Sequence, residues 1–305
     1  MLTNHINTNT KTKPRIGLLG FGEAGARFAK DFSQAGFKHI LAYSRTGSKA
    51  KPGDPITQRA QDSGVKLVKT VGTLAKKSDL IIVLTPGKSA IAVLKKIHKH
   101  LRPEHLYVDA STNSAAAMEK AALIVGNAAR FVDAAIMGPV DLMGTKVPIV
   151  ASGDHASAFR DLMNPYGMVI SAVGNKPGDA SAMKLIRSVL MKGLAALLIE
   201  TMEAARRRGI MDEVIADSSV TFNQIPFEKI IKRYVNGTAV HCGRRIHEMQ
   251  ECLELLHDMG SSDRGTRTTI AMLRDLVKFG MPEQFPQEPD TIHPVIDAII
   301  AARKK

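Results

Sequence analysis

The segment Arg15-Ile16-Gly17-Leu18-Leu19-Gly20-Phe21-Gly22-Glu23-Ala24-Gly25 constrains this chain more than any other. It sets a G-x-G-x-x-G pattern after a short apolar run and ahead of a helix-forming one, the order that a dinucleotide-binding β-turn-α unit requires. Gly20 is expected to make the tight turn, Gly22 to let the backbone approach a pyrophosphate, and Gly25 to let helix and strand pack closely. The helix N-terminus adds N–H donors and a positive dipole. Phe21, Glu23 and Ala24 lie between the glycines and are expected on the same ligand.

The alternation of strand and helix continues well past this turn. Short β-type runs at 16–19, 39–43, 65–68, 80–84, 106–109, 131–135 and 147–151 alternate with helical stretches, and 168–172 reads as a further strand at the edge. That alternation predicts an α/β Rossmann domain, a parallel sheet with helices on both faces. After the turn-rich segment 174–178 the pattern changes: 180–208 reads as one long helix, and the remainder as all-helical. Met249, Cys252, Leu253, Leu256 and Met259 keep helical spacing up to a Gly260 stop. Pro282, Pro286, Pro289 and Pro294 interrupt the tail before a last helix at 295–303. The expected organisation is a flexible extension at 1–14, a nucleotide-binding domain at 15–177, and an all-α domain at 178–305 for substrate and dimerisation, joined by the long interdomain helix.

The end of the second strand selects the nucleotide. An Asp or Glu there would hold the ribose 2′-hydroxyl of NAD, and a cation with hydroxyls would take the 2′-phosphate of NADP. This chain has Tyr43-Ser44-Arg45-Thr46. Arg45 suits a bidentate phosphate contact, with Ser44 and Thr46 as hydroxyl donors. NADP is the expected cofactor, with NAD as the alternative. A solvated Arg in a turn is the ordinary reading of the same residues. Thr85-Pro86 after the fourth strand and Ser111-Thr112 after the fifth sit at carboxyl ends of strands, where open α/β sheets bind ligands. Thr85 and Pro86 are expected at the cofactor, and Ser111 and Thr112 at the nicotinamide ribose or a substrate carboxylate.

Composition removes other classes. The 305 residues carry 42 Lys plus Arg against 29 Asp plus Glu, a net charge of +13, yet the cations are scattered and aromatic residues make up only 5%. Nucleic-acid binding is therefore not expected. Only Cys242 and Cys252 are present, without metal-ligand spacing around them, which suits a reducing compartment and no metal. The first fourteen residues have neither a signal-peptide core nor an organelle-transit pattern, and no apolar run is long enough for a membrane span. A soluble, cytoplasmic protein is expected.

Taken together, these motifs resemble the β-hydroxyacid dehydrogenase superfamily, which includes 3-hydroxyisobutyrate and 6-phosphogluconate dehydrogenases. The likeness rests on the order of the glycine turn, a D-x-S-T loop at Asp109, Ser111 and Thr112, a loop in place of D-A-P-V-S-G-G, and Gly174-Asn175-Lys176-Pro177-Gly178 leading to Lys184. The stretch from Lys184 to Lys192-Gly193 and the segment HCGRRIHEM at 241–249 are most similar to a phosphogluconate-dehydrogenase-like branch with a distinctive helical C-terminal domain. The resemblance implies that Lys184 is the general acid/base, since oxidising an alcohol removes its hydroxyl proton as hydride leaves. It also implies a homodimer.

Two departures matter. Ser188 stands where relatives have an Asn one helical turn after the Lys, and is expected to share the catalytic role. The loop Asp133-Ala134-Ala135-Ile136-Met137-Gly138-Pro139 replaces a Ser by Met137, so Met137 and Gly138 are expected to border a substrate other than 3-hydroxyisobutyrate. His241, Arg244, Arg245 and Glu248 share a helical face, with His247 one position off. The two His and two Arg are expected at an acidic substrate, against the ordinary reading of a solvated Arg–Glu face. The expected function is hydride transfer between NADP(H) and a small acidic hydroxy compound or its ketone or aldehyde. The alternatives are an imine or ketone reductase of the same architecture and a non-catalytic NADP sensor.

Overall fold

The computed structural model describes residues 13–304, so the extension expected at 1–14 lies outside the described residues except for Lys13 and Pro14. The chain divides into two compact units, the first ending at Ser188 and the second running from Val189.

The first unit is built on eight strands: β1 (Ile16–Leu19), β2 (Ile40–Tyr43), β3 (Lys66–Leu67), β4 (Leu80–Val83), β5 (Leu106–Asp109), β6 (Arg130–Ile136), β7 (Pro148–Ser152) and β8 (Val169–Ala172). The connecting helices are α1 (Glu23–Gln34), α2 (Pro55–Asp62), α3 (Val71–Lys76), α4 (Gly87–Ile97), α5 (Ala115–Val125), α6 (Val140–Met143) and α7 (Ala156–Met163). The sheet order is β3-β2-β1-β4-β5-β6-β7-β8. In β1, β4 and β5 every residue is buried, which is why they read as continuous apolar runs: helices cover both faces. Ile16 and Leu18 join one core with Phe28 and Phe32 of α1, and Leu19 joins the other with Leu74, Leu94 and Met118.

One pairing departs from the expected parallel sheet. β6 and β7 are antiparallel, with Asp133 opposite Ser152 and Ile136 opposite Ile149, and β8 runs parallel to β7. Only the four-residue α6 and a single 3-10 turn at Gly144–Lys146 lie between β6 and β7. That is too short a crossover to carry the chain back for a parallel return.

The long helix α8 (Asp179–Arg208) begins close to the expected boundary. Its first turns remain with the sheet because Asp133 and Ser152 hold them. The second unit contains α9 (Met211–Asn223), α10 (Phe227–Asp258), α11 (Arg264–Lys278), α12 (Met281–Gln284) and α13 (His293–Ala302). Glu200, buried on α8, caps α11: its carboxylate accepts from the N–H groups of Gly265 and Thr266 at 2.9 Å and from the Thr266 hydroxyl at 2.8 Å. Pro282 and Pro294 fall in the first turns of α12 and α13, where a missing N–H costs nothing, so the last helix starts ahead of the expected 295. Among the described residues no helix is long and apolar enough to cross a membrane, and no cluster of His, Cys, Asp and Glu has the makings of a metal site.

Candidate active site

A cleft of about 1250 Å³ opens at the carboxyl ends of β1, β2, β4 and β5. Its floor is the glycine turn, in which Gly20 and Gly25 are each required by a close backbone approach. Gly20 has φ +106°, and a Cβ there would stand 2.6 Å from the Leu84 carbonyl oxygen. A Cβ on Gly25 would come within 2.6 Å of the Gly20 carbonyl oxygen, so α1 sits on β1 only because that atom is missing. A Cβ on Gly22 would meet nothing within 4 Å: the absent side chain leaves open space above the start of α1, where Gly22 is the N-cap and brings no side-chain cap. Phe21, Glu23 and Ala24 line the same floor.

At the end of β2, Ser44, Arg45 and Thr46 border the cleft. The Ser44 oxygen accepts the Gly47 N–H at 2.9 Å, which leaves its hydroxyl proton to donate. The structure adds Arg59, which α2 brings to the same end of the cleft together with Asp54. Asp54 accepts the Lys51 N–H at 2.8 Å and so belongs to its own turn. Sequence reasoning missed Arg59 because no fixed spacing links it to Arg45.

At the end of β4, the hydroxyl oxygen of Thr85 is buried and has no hydrogen-bond partner, an expensive arrangement for a group that borders a cleft. Beyond Pro86, Gly87 is a point of contact between loops, since a Cβ there would lie 2.1 Å from the Thr112 carbonyl oxygen. Asn113 fastens them, donating from Nδ2 to the Gly87 carbonyl at 3.0 Å.

Two adjacent strands carry buried carboxylates that lie in register, Asp109 at the end of β5 and Asp133 in the middle of β6. Asp109 accepts from the Ser111 N–H at 3.0 Å and hydroxyl at 2.6 Å. Burial pushes its carboxyl up to about 6; the Ser111 hydrogen bonds pull downward and the charge of Asp133 pushes further up. Asp133 anchors α8. It accepts from the N–H groups of Gly178 (2.9 Å) and Ser181 (3.0 Å) and from the hydroxyls of Ser181 (2.7 Å) and Ser152 (3.1 Å). The Ser152 oxygen accepts the Ala180 N–H at 3.0 Å. One turn beyond this anchor Lys184 enters the cleft, and its Nζ donates to the Thr112 hydroxyl oxygen at 3.0 Å.

Residues 15–174 match the NAD-binding domain of 6-phosphogluconate dehydrogenase, and residues 205–276 match a domain of unknown function. An uncharacterized 28.5 kDa protein of Methanothermus fervidus is 30% identical over 237 residues, 78% of this chain and 88% of that protein. The chain belongs to the β-hydroxyacid dehydrogenase family. L-threonate dehydrogenase of Escherichia coli O6:H1 is 26% identical over 238 residues, 75% of this chain and 76% of that enzyme. Among solved structures, an imine reductase variant from Myxococcus stipitatus in complex with NAD+ is similar with a TM-score of 0.75 at 20% identity, covering 94% of this chain and 99% of that one, a likeness of fold.

A nicotinamide dinucleotide, the cofactor of this family, fits the residues present. The space that a Cβ on Gly22 would take lies over the start of α1, and the Thr85 hydroxyl waits without a partner in the same cleft. When bound, such a cofactor supplies the hydride chemistry.

Gly138 borders the cleft, whereas Met137 packs with Ala135, Val150 and Ala180. Ser188 lies one turn past Lys184, outside the cleft lining. His241, Arg244, Arg245 and His247 belong to α10 in the second unit. There α10 kinks at His241 (φ −114°, ψ 15°), Arg244 pairs with exposed Glu248 at 2.9 Å, and Arg245 donates to the Thr238 hydroxyl. The kink takes His241 out of the regular helical face on which the sequence placed it.

Proposed function

We propose that this protein is an NADP-dependent oxidoreductase that moves a hydride between the nicotinamide and the carbinol carbon of a small acidic hydroxy compound, with Lys184 as general acid/base. The observation that carries the reading is Lys184 itself, held 3.0 Å from Thr112 in the cleft that the glycine turn opens. A lysine ammonium there donates a proton to a carbonyl oxygen as hydride arrives, and the amine takes it back in the oxidative direction. Arg45 and Arg59, with Ser44 and Thr46, support NADP, because two cations match a phosphate dianion better than a ribose hydroxyl.

Lys184→Ala tests the assignment on NADP-dependent oxidation of a panel of small hydroxy acids. Turnover should fall at least a hundredfold with NADPH affinity within twofold of wild type. Unchanged turnover rejects Lys184 as the acid/base.

The reading extends to assembly. Ile186, Val189 and Ile199 of α8 are 71%, 77% and 70% exposed, an apolar stretch of helix suited to a second copy of the chain. Light scattering should return twice the 33.0 kDa chain mass; a stable monomer at micromolar concentration rejects the homodimer. Free Cys242 and Cys252 fit the reducing cytoplasm.

A further inference from the structure

Ser111 reaches the cleft with its hydrogen-bonding capacity already divided. Its N–H and its hydroxyl proton both go to Asp109, at 3.0 and 2.6 Å. Its hydroxyl oxygen accepts from Asn113 Nδ2 at 3.3 Å. The amide orientation of Asn113 follows from chemistry, because the same Nδ2 donates to the Gly87 carbonyl, which has no proton to give. A serine hydroxyl carries one proton and two lone pairs. Asp109 takes the proton and Asn113 one lone pair, so a single lone pair is left for whatever enters the cleft. The main-chain N–H of residue 111 is spent as well, so no donor at this position is available to an anion.

Resting on the NADP reading of the cleft, we propose that Ser111 meets its ligand solely as an acceptor and therefore binds a hydroxyl or amide N–H of the cofactor's nicotinamide riboside, and not the carboxylate of the substrate. Asp109 acts through Ser111 as a positioning residue: fixed inside the sheet, it points the serine proton away from the cleft. The arrangement divides the D-x-S-T loop between two tasks. Thr112, whose oxygen accepts from Lys184 and whose hydroxyl proton is left to donate, faces the reacting group. Ser111 faces the riboside. An acidic substrate then finds no donor at residue 111.

The test needs no knowledge of the substrate. NADPH and 2′,5′-ADP, which carries the adenosine and both phosphates but no nicotinamide riboside, are titrated against wild type and Ser111→Ala. Loss of one acceptor should weaken NADPH about five- to tenfold and leave 2′,5′-ADP unchanged. Equal NADPH affinity in the two proteins overturns the proposal, as does an equal loss for both ligands. Should the alanine variant fold poorly, Ser111→Cys keeps the volume with a weak acceptor, and the same split between ligands is required. A wild-type protein that binds neither ligand removes the NADP reading itself, an outcome separate from a wild type that binds both while Ser111→Ala changes nothing.

Discussion

Replacing Asp133 by Ala removes the acceptor for two backbone N–H groups, those of Gly178 and Ser181, and for the hydroxyls of Ser152 and Ser181. The hydroxyls can rotate toward other partners, but the two N–H groups cannot. Each buried, unpaired N–H costs about 1–3 kcal/mol, giving a loss of about 4 kcal/mol. For a unit of this size that corresponds to a fall in melting temperature of roughly 8–16 °C. Asp133→Asn can keep a carbonyl oxygen at the position that accepts both N–H groups, and should lose well under half as much. The catalytic effect is separable from the thermal one. Ser181 stands one turn before Lys184, so releasing the helix start displaces the amine, and an ångström of misplacement is enough to cost about a hundredfold in turnover. NADPH affinity should stay within about threefold, because the glycine turn and Arg45 hang from β1 and β2. Differential scanning fluorimetry, NADPH titration and turnover on an active hydroxy acid read the three quantities, with assays run well below the lowered melting temperature. A variant that melts within about 2 °C of wild type, or that turns over normally, refutes the view that Asp133 seats α8 and its lysine.

Three further outcomes are expected. Gly22→Ala should melt like wild type but bind NADPH more than tenfold more weakly, because its Cβ fills only ligand space, whereas Gly25→Ala should lose both stability and binding through its 2.6 Å clash with the Gly20 carbonyl; similar behaviour of the two variants contradicts the division. Asp109 makes stability fall with rising pH: its carboxyl sits at about 6 in the fold against 3.8 in the open chain, so its contribution is complete below about 4 and is lost as pH rises through about 6. About two pKa units correspond to about 3 kcal/mol, and urea unfolding of Asp109→Asn should lack that component; identical pH slopes would exclude it. Arg45→Ala combined with Arg59→Ala should raise KM for NADP at least tenfold while changing KM for NAD less than threefold, and equal losses would remove the 2′-phosphate assignment.

The glycine turn was legible because Gly20 and Gly25 answer to local steric demands, and the resemblance pointed to Lys184, which borders the cleft. Arg59 and Asn113 were not, because what places them is the path of one loop and the contact between two others. Asp133 is the most instructive. It stood in view as the first residue of an altered loop, yet its role depends on a reversal that no local pattern announces. Because β7 and β8 run against the other strands, β8 ends with Ala172 opposite Ala151, which itself lies opposite Ala134. The chain therefore leaves β8 level with the Asp133 carboxylate, and its next helix starts there. Had both strands run parallel to β6, the same chain would have emerged level with Ile136, at the far end of that strand. The antiparallel pair is thus what delivers the start of α8 to a buried acceptor. That short return between β6 and β7, a departure from the expected sheet, is the physical reason a residue in the middle of β6 can seat the start of α8.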